Sequence, residues 1–328
     1  VAIFYAALAG VLWRASLMGI TARALLLADR NLSRARLTRL PLGKVALALA
    51  PVAVLTWAVT LTQSDGRTHV YFLDVGQGDA ALIRTAAGQN ILIDGGPPEG
   101  DLLGHLGKHL PFWDRDIDLM VLSHYHEDHS SGLVEATRRY PIGSILDVGW
   151  EGEAEPDSSY AELIGLAKQK NVPYILAQRG TEVKLGEGLS LDVLHPPQPR
   201  LKATDDDVDD NSIVLRLVVG EVRFLFIGDI HEDAEAYLVE HGIALNATVL
   251  KVAHHGSATS SSDGFLSVVS PSVAVVSVGE HNLFEHPNAE AVARLEAQVG
   301  GGNLYLTSKR GTVELITDGQ RLWVRTER

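Results

Sequence analysis

The chain has 328 residues, 46% of them hydrophobic, and a formal net charge of −13 at pH 7, with no cysteine. The absence of cysteine excludes disulfide bonds, thiolate metal sites and a cysteine nucleophile. The charge is uneven: residues 1–66 carry about +5 and the remainder about −18, so bulk attraction would not draw nucleic acid to the second part.

Residues 1–66 have the composition of a membrane-anchoring region. Residues 1–13 are apolar or small and begin without methionine, so we expect a piece of a longer protein. A basic stretch follows at 14–44, and 45–61 then runs without a charge, close to the length of about 20 residues that spans a bilayer. A buried helix and a signal-peptide core are the alternatives for 45–61, and the preceding basic stretch argues against the latter.

The basic stretch also predicts an orientation. Lys and Arg beside a membrane helix stay on the cytoplasmic side, so we expect 14–44 to be a cytoplasmic loop and 45–61 to cross outward. The expected domains are therefore a membrane and juxtamembrane region at 1–66 and a globular domain at 67–328. The globular domain is expected on the outer, periplasmic face of the inner membrane.

Short apolar runs alternate with helical patterns along the globular domain. The predicted strands are 70–75, 81–84, 90–96, 117–122, 144–148, 174–177, 189–194, 212–219, 222–227, 248–253, 273–278, 303–307, 312–317 and 321–326. The predicted helices are 101–110, 133–139, 159–170, 231–240 and 289–298. Two β-rich halves with helices outside predict an α/β fold arranged as an αββα sandwich.

One predicted strand ends in the polar sequence SHYHEDHSSG (123–132). Residues i and i+2 of an extended chain point the same way, so His124 and His126 can face one ion. Asp128 and His129 fall one turn further on and can face a second ion, at the roughly 3.5–4 Å spacing of two-metal hydrolases. Imidazole with carboxylate suits zinc, manganese or iron. A histidine-rich surface loop is the alternative, which the preceding apolar strand disfavours.

Acidic residues after other strands are further candidates. Asp229 ends a strand, where its carboxylate can bridge two ions; the alternative is a helix N-cap before His231. Asp94 also ends a strand and is expected to orient the site by hydrogen bonding rather than to bind metal. Asp79 follows a glycine turn and is expected to support the site. The acidic run 205–210 is expected to be a solvated loop.

Late histidines are expected to complete the site. His254 and His255 end a strand, and because adjacent strand residues point oppositely, the sequence does not decide which one reaches a metal. His286, in FEHPN, is expected near the metals, and the alternative is a loop residue held by Pro287. The remaining histidines are expected to be surface or structural, namely His69, His105, His109, His195, His231, His241 and His281.

The spacing of the central motif is the HxHxDH signature of the metallo-β-lactamase fold. The chain further resembles the C-terminal domain of ComEC-type competence proteins, the channels of natural DNA uptake. The matching segments are FLDVGQGDA (72–80), ILIDGG (91–96), LSHYHEDHSSG (122–132), DNSIVLRL (210–217), FLFIGDI (224–230), LKVAHHGS (250–257) and HNLFEHPN (281–288). One departure concerns Asn211 and Ser212, which stand where many superfamily members have a histidine. The departure puts one metal in doubt or shifts its last ligand to His254 or His255.

The resemblance implies a hydrolase with two divalent ions, zinc or manganese. The implied metal ligands are His124, His126, Asp128, His129, Asp229, His255 and His286. The implied catalytic residues are Asp128, which would receive the proton of the attacking water, and His254 and His255, which would serve the leaving group together with His286. The implied supporting residues are Asp79, Asp94, Asn211 and Ser212.

The resemblance also implies a substrate and partners. The family's domain is thought to degrade the DNA strand that is not imported, by metal-assisted phosphodiester hydrolysis. Its partners would be single-stranded DNA, the membrane, the channel region that precedes this piece, and the DNA-uptake machinery. Two alternatives remain open: a hydrolase of small phosphodiesters, lactones or thioesters, which the acidic charge favours, and an inactive DNA-guiding module, which the departure at Asn211 favours.

Overall fold

The computed structural model describes residues 49–56, 65–149, 157–186 and 188–328. The chain separates into two compact units, residues 1–63 and 64–328. In the first unit residues 49–56 are helical, while the expected basic loop and the two ends of the expected span at 45–61 lie outside the described residues. Among the helices that are described, none has both the length and the apolar character needed to cross a bilayer.

The described part of the second unit forms two sheets. The strands are β1 (Thr68–Phe72), β2 (Ala81–Arg84), β3 (Asn90–Ile93), β4 (Leu119–Leu122), β5 (Ile145–Asp147), β6 (Tyr174–Leu176), β7 (Glu182–Gly186), β8 (Leu189–His195), β9 (Val214–Val219), β10 (Val222–Phe226), β11 (Val249–Lys251), β12 (Val273–Val276), β13 (Leu304–Leu306), β14 (Val313–Thr317) and β15 (Leu322–Thr326). One sheet has the order β15-β14-β1-β2-β3-β4-β5-β6, and the other β13-β12-β11-β10-β9-β8-β7. Neighbours from β3 to β6 and from β10 to β13 are parallel.

Helices cover the outer face of each sheet. They are α1 (Leu102–His109), α2 (Glu127–Arg139), α3 (Ser158–Lys170), α4 (Glu232–Glu240), α5 (Asp263–Val269), α6 (Ala289–Val299) and the short α7 (Thr307–Arg310). One buried cluster joins the facing sides of the two sheets, where the rings of Phe72 and Phe226 lie 5.7 Å apart. A second packs the first sheet against α1–α3, and a third packs the other sheet against α4–α6. These layers confirm the predicted αββα sandwich.

The metal motif lies at the junction of β4 and α2. Helix α2 begins at Glu127, six residues before the expected start at Leu133, so Asp128 and His129 occupy its first turn. Acidic residues are favourable there because the helix N-terminus carries partial positive charge. The sequence did not predict this turn because its residues are polar, and helix prediction from periodicity depends on apolar residues that mark the buried face.

Two glycines fix α2 against the end of β3. A Cβ on Gly132 would lie 1.9 Å from the carbonyl oxygen of Gly95, closer than any side chain allows. The backbone N–H of Gly95 donates to the carbonyl oxygen of His129 at 2.8 Å. This contact brings the first turn of α2 beside Asp94, which follows β3.

Candidate metal centre

Side chains from both sheets meet where β4, β10 and β11 end. Asp128, His129, Asp229 and His255 form one group whose candidate ligand atoms lie within 4.8 Å of one another. Asp229 Oδ2 is 3.3 Å from His129 Nε2 and 3.2 Å from His255 Nε2. Asp128 Oδ2 is 3.3 Å from His255 Nε2. Asp128 is partly exposed and the other three are buried, so this group opens to solvent on the Asp128 side.

Asp209 joins two further groups of histidines. Its Oδ1 lies 3.4 Å from His124 Nε2 and 3.1 Å from His126 Nδ1. Its Oδ2 lies 3.4 Å from His231 Nε2, which in turn lies 2.8 Å from His254 Nδ1. The two carboxylate oxygens therefore face different pairs of imidazoles.

The expectation that 205–210 is a solvated loop is wrong at its end, because Asp209 is 4% exposed and Asp210 is fully buried. A single turn of 3-10 helix at Asp209–Asn211 carries Asp209 inward. The side-chain amide of Asn211 braces the turn by donating to the carbonyls of Leu201 and Asp207 at 3.0 and 2.7 Å. Asn211 stands where many superfamily members have a histidine, and Asp209, two residues before it, supplies a carboxylate that faces His124 and His126.

His231 was expected to be surface or structural, but it lies at the centre beside Asp209 and also occupies the N-cap position of α4. Asp210 Oδ1 accepts a hydrogen bond from the backbone N–H of His231 at 2.8 Å, at the start of α4. The Asp229 carboxylate is directed instead at His129 and His255. Ser212 Oγ lies 3.4 Å from the backbone N of Asp229, within reach of its N–H.

His254 and His255 are brought together by an unusual turn. Strand β11 ends at Lys251, and both histidines adopt left-handed backbone angles, with φ of 46° and 53°. Such a conformation costs roughly 1–2 kcal/mol for each residue other than glycine. The N–H at His255 Nδ1 donates to the carbonyl of Ser277 at 2.9 Å, which directs Nε2 at the carboxylates. Strand alternation does not apply here, so both rings reach the centre.

Asp94 lies where a supporting group was expected. Its Oδ2 is 3.0 Å from His129 Nδ1, and its Oδ1 accepts from the backbone N–H of Ser123 at 2.7 Å. A carboxylate behind an imidazole fixes the tautomer and orientation of the ring. His129 Nε2 is thereby directed at Asp128 and Asp229.

A buried lysine that the sequence reading missed lies under the centre. Lys251, 4% exposed, contacts the Asp79 carboxylate, approaches Asp229 Oδ1 at 3.5 Å and donates to the Gly228 carbonyl at 3.2 Å. Burial alone would lower the pKa of Lys251, but Asp79 and Asp229 raise it. The sequence did carry a sign of this role, because Lys251 is the only charged residue in an apolar predicted strand and a buried charge needs a partner of opposite sign.

The charges of the centre compensate one another. Burial alone would raise the pKa of Asp229, but His255, His129 and Lys251 hold it well below its usual range. Burial alone would lower the pKa of His255, but chiefly Asp229 raises it, to about 10. The Asp229 carboxylate is therefore ionised and available as a ligand at neutral pH.

His286 lies at the margin of the centre. Its ring is 5.4 Å from that of His254 and 6.5 Å from that of His255, and it joins none of the candidate metal groups within the described residues. Asn282 holds its backbone: Oδ1 accepts from the His286 N–H at 2.9 Å, and Nδ2 donates to the His286 carbonyl at 2.7 Å.

The donor set fits divalent metal ions. Among the described residues, several buried ligand atoms have no hydrogen-bond partner, which costs free energy unless another group binds them. They are His124 Nε2, His129 Nε2, His255 Nε2, Asp209 Oδ1 and Asp229 Oδ1. Imidazole nitrogen and carboxylate oxygen are the protein ligands preferred by zinc and manganese.

Comparison with known proteins gives a consistent family. The family model described as Metallo-beta-lactamase superfamily matches residues 73–281. The chain is 32% identical to Competence protein ComA of Neisseria gonorrhoeae, over 85% of this chain and 37% of that protein. It is 24% identical to ComE operon protein 3 of Bacillus subtilis, over 75% of this chain and 32% of that protein. The chain thus spans about a third of the length of these curated relatives.

A solved structure shares the fold. The structure of the CmlA beta-hydroxylase E377D mutant is 14% identical and superposes with a TM-score of 0.51, over 76% of this chain and 54% of that one. This likeness supports the fold alone. The family model and the curated relatives confirm the resemblance to the metallo-β-lactamase superfamily and to ComEC-type competence proteins.

Proposed function

We propose that this chain, which belongs to the metallo-beta-lactamase superfamily, is the metal-dependent phosphodiesterase of a DNA-uptake protein and cleaves the strand that is not imported. The observation that carries the proposal is the pairing of two donor groups at one edge of the sandwich. His124, His126 and Asp209 form one, and Asp128, His129, Asp229 and His255 form the other. Two-metal hydrolases of phosphodiesters use such paired sites. The name of the ComA relative supports DNA uptake as the setting.

The residues around the centre suit an in-line hydrolysis. Divalent ions, when bound, polarise phosphoryl oxygens and lower the pKa of water. Asp128 is the more exposed carboxylate of its group, so it is placed to take the proton of the attacking water. The N–H of His254 then serves the leaving oxygen, with His286 beside it, because His255 has its Nδ1–H bonded to the Ser277 carbonyl and its Nε2 in the metal-ligand group. Asp209 adds an oxygen ligand beside His124 and His126, and this mixed donor set suits manganese as well as zinc.

Reconstitution of the purified 328-residue chain tests this function. The chain is stripped of metal with a chelator and supplied with manganese or zinc, and hydrolysis of bis(nitrophenyl) phosphate, single-stranded DNA and a lactone is measured. We expect both phosphodiesters to be cleaved only after metal is restored, with two ions bound per chain. Asp128→Ala serves as the inactive control. Turnover that survives both chelation and Asp128→Ala would exclude the mechanism.

Hydrolysis of small substrates is a second candidate function. The charge of about −18 on residues 67–328 favours small substrates over a long polyanion. The same three substrates separate the candidates. Cleavage of bis(nitrophenyl) phosphate or the lactone without cleavage of DNA would establish the small-substrate reading.

We further propose that residues 67–328 lie outside the cytoplasmic membrane, anchored by 45–61. The proposal is supported by the seven Lys and Arg residues at 14–44 and by the competence-protein relatives. Fusion after Gln63 tests it, since alkaline phosphatase is active outside and green fluorescent protein is fluorescent inside. We expect an active phosphatase fusion and a dark fluorescent one, and the reverse pattern would refute the orientation.

A further inference from the structure

A groove adjoins the metal centre on the side of His286. It lies between the loop 279–287, α6 and α7, and its volume of about 640 Å³ is within the range of ligand sites. Its lining extends from His286 to Lys309 and Arg310. Because the His286 ring is 5.4 Å from that of His254, a ligand in the groove would be continuous with one at the centre.

The groove contains unpaired positive charge in an acidic domain. Lys309 and Arg310 are exposed at α7, and within the described part of the chain neither forms an ion pair with a carboxylate. Glu280 and Glu296 also line the groove, so it is not uniformly cationic. Two free cations beside a candidate phosphodiesterase centre are the groups that a phosphate backbone requires.

The rest of the lining suits an unpaired base. Val292, Leu304 and Leu306 contribute an apolar surface on which the face of a base can pack. The carboxylates of Glu280 and Glu296 can accept hydrogen bonds from base amino groups. In a duplex the base edges are paired and the phosphates lie outermost, so these carboxylates would repel it.

The wall of the groove is preformed. Asn282 Nδ2 donates to the carbonyls of Gly279 and His286 at 3.0 and 2.7 Å, which closes the loop on itself. Both Gly279 and His286 line the groove. A ligand that enters therefore does not have to order this loop, which reduces the entropic cost of binding.

We propose that this groove binds the nucleotides of a single DNA strand adjacent to the phosphate at the metal centre, with Lys309 and Arg310 contacting its backbone. The proposal rests on the proposed phosphodiesterase function and extends it by naming where the polymer lies. It accounts for DNA recognition by an acidic domain, because two local cations act where bulk charge does not.

The test is binding of a fluorescein-labelled single-stranded DNA of about 12 nucleotides, a length in the range of single-strand sites. The metal-free 328-residue chain is used, so that the probe is not cleaved. For Lys309→Glu/Arg310→Glu we expect binding at least about tenfold weaker. Two phosphate contacts are lost, so the slope of log affinity against log salt should fall by about 1.4.

A matched control reverses two charges at the opposite end of the sandwich. Lys184 lies opposite Ser190 in the strand pairing of β7 with β8, near the start of β8. Arg321 follows a turn that contacts the start of β10, because the carbonyl of Gly319 accepts a hydrogen bond from the N–H of Glu221. Lys184→Glu/Arg321→Glu changes the net charge equally and should leave DNA affinity within about twofold. Equal loss in both variants, no loss in the groove variant, or no DNA binding by the native chain would overturn the proposal.

Turnover of bis(nitrophenyl) phosphate with manganese separates this proposal from the proposed function. The small diester has no flanking nucleotides to occupy the groove, so we expect both double variants to hydrolyse it at the native rate. If neither the native chain nor any variant hydrolyses a phosphodiester, the proposed function fails. The metal-free binding comparison still shows whether the groove binds single-stranded DNA.

Discussion

Asp229→Asn is expected to lower metal-dependent phosphodiester hydrolysis at least about a hundredfold, which is the upper end of the loss seen for groups that only orient ligands. The Asp229 carboxylate is buried and lies within 3.3 Å of both His129 and His255. The amide is of similar size but is neutral and offers a single oxygen. It would leave both imidazoles and Lys251 without their shared anion.

Metal content and initial rates on bis(nitrophenyl) phosphate measure the effect. Asp192→Asn is the matched control, because Asp192 pairs with Arg216 at 3.0 Å away from the centre. We expect the control to retain native metal content and a rate within about twofold. An Asp229→Asn chain with native metal content and native rate would show that this carboxylate is not a ligand.

Asp209→Ala is expected to remove the ion held with His124 and His126. The bound metal should fall from two ions per chain to one, and hydrolysis should fall at least about a hundredfold, since both ions act on one phosphate. Asp209→His should restore binding, because an imidazole replaces the carboxylate, and should shift the preference from manganese towards zinc.

Asp205→Ala provides the control from the same acidic run. Asp205 is exposed, and its substitution should change neither metal content nor rate. Titration calorimetry of manganese into the stripped chains gives the stoichiometry independently of turnover. If Asp205→Ala and Asp209→Ala behaved alike, the inward turn at Asp209–Asn211 would have no role in metal binding.

The part of the centre that could be predicted from sequence follows strands. His124 and His126 come directly after an apolar run, so their shared direction could be deduced from strand geometry, and both approach Asp209. The αββα class could likewise be deduced from alternating elements. These features depend on the local spacing of apolar and polar residues, which can be seen in a single sequence.

The part that could not be predicted depends on chain reversals. Asp209 belongs to a run of aspartates, and the sequence does not show which of them is buried. The turn braced by Asn211 is what directs Asp209 into the centre. His254 and His255 look like alternating strand residues, and only their left-handed angles bring both rings inward. Strand β7 and helix α5 were also missed, because each is short and its polar positions obscure the pattern.

The position of Lys251 has a consequence for how the protein matures. Its ammonium contacts the Asp79 carboxylate and lies 3.5 Å from Asp229, so it is a counter-ion that the chain always carries. The acids that converge on the centre are therefore partly neutralised as soon as the chain folds. Folding of the domain and loading of its metal ions can then be successive events.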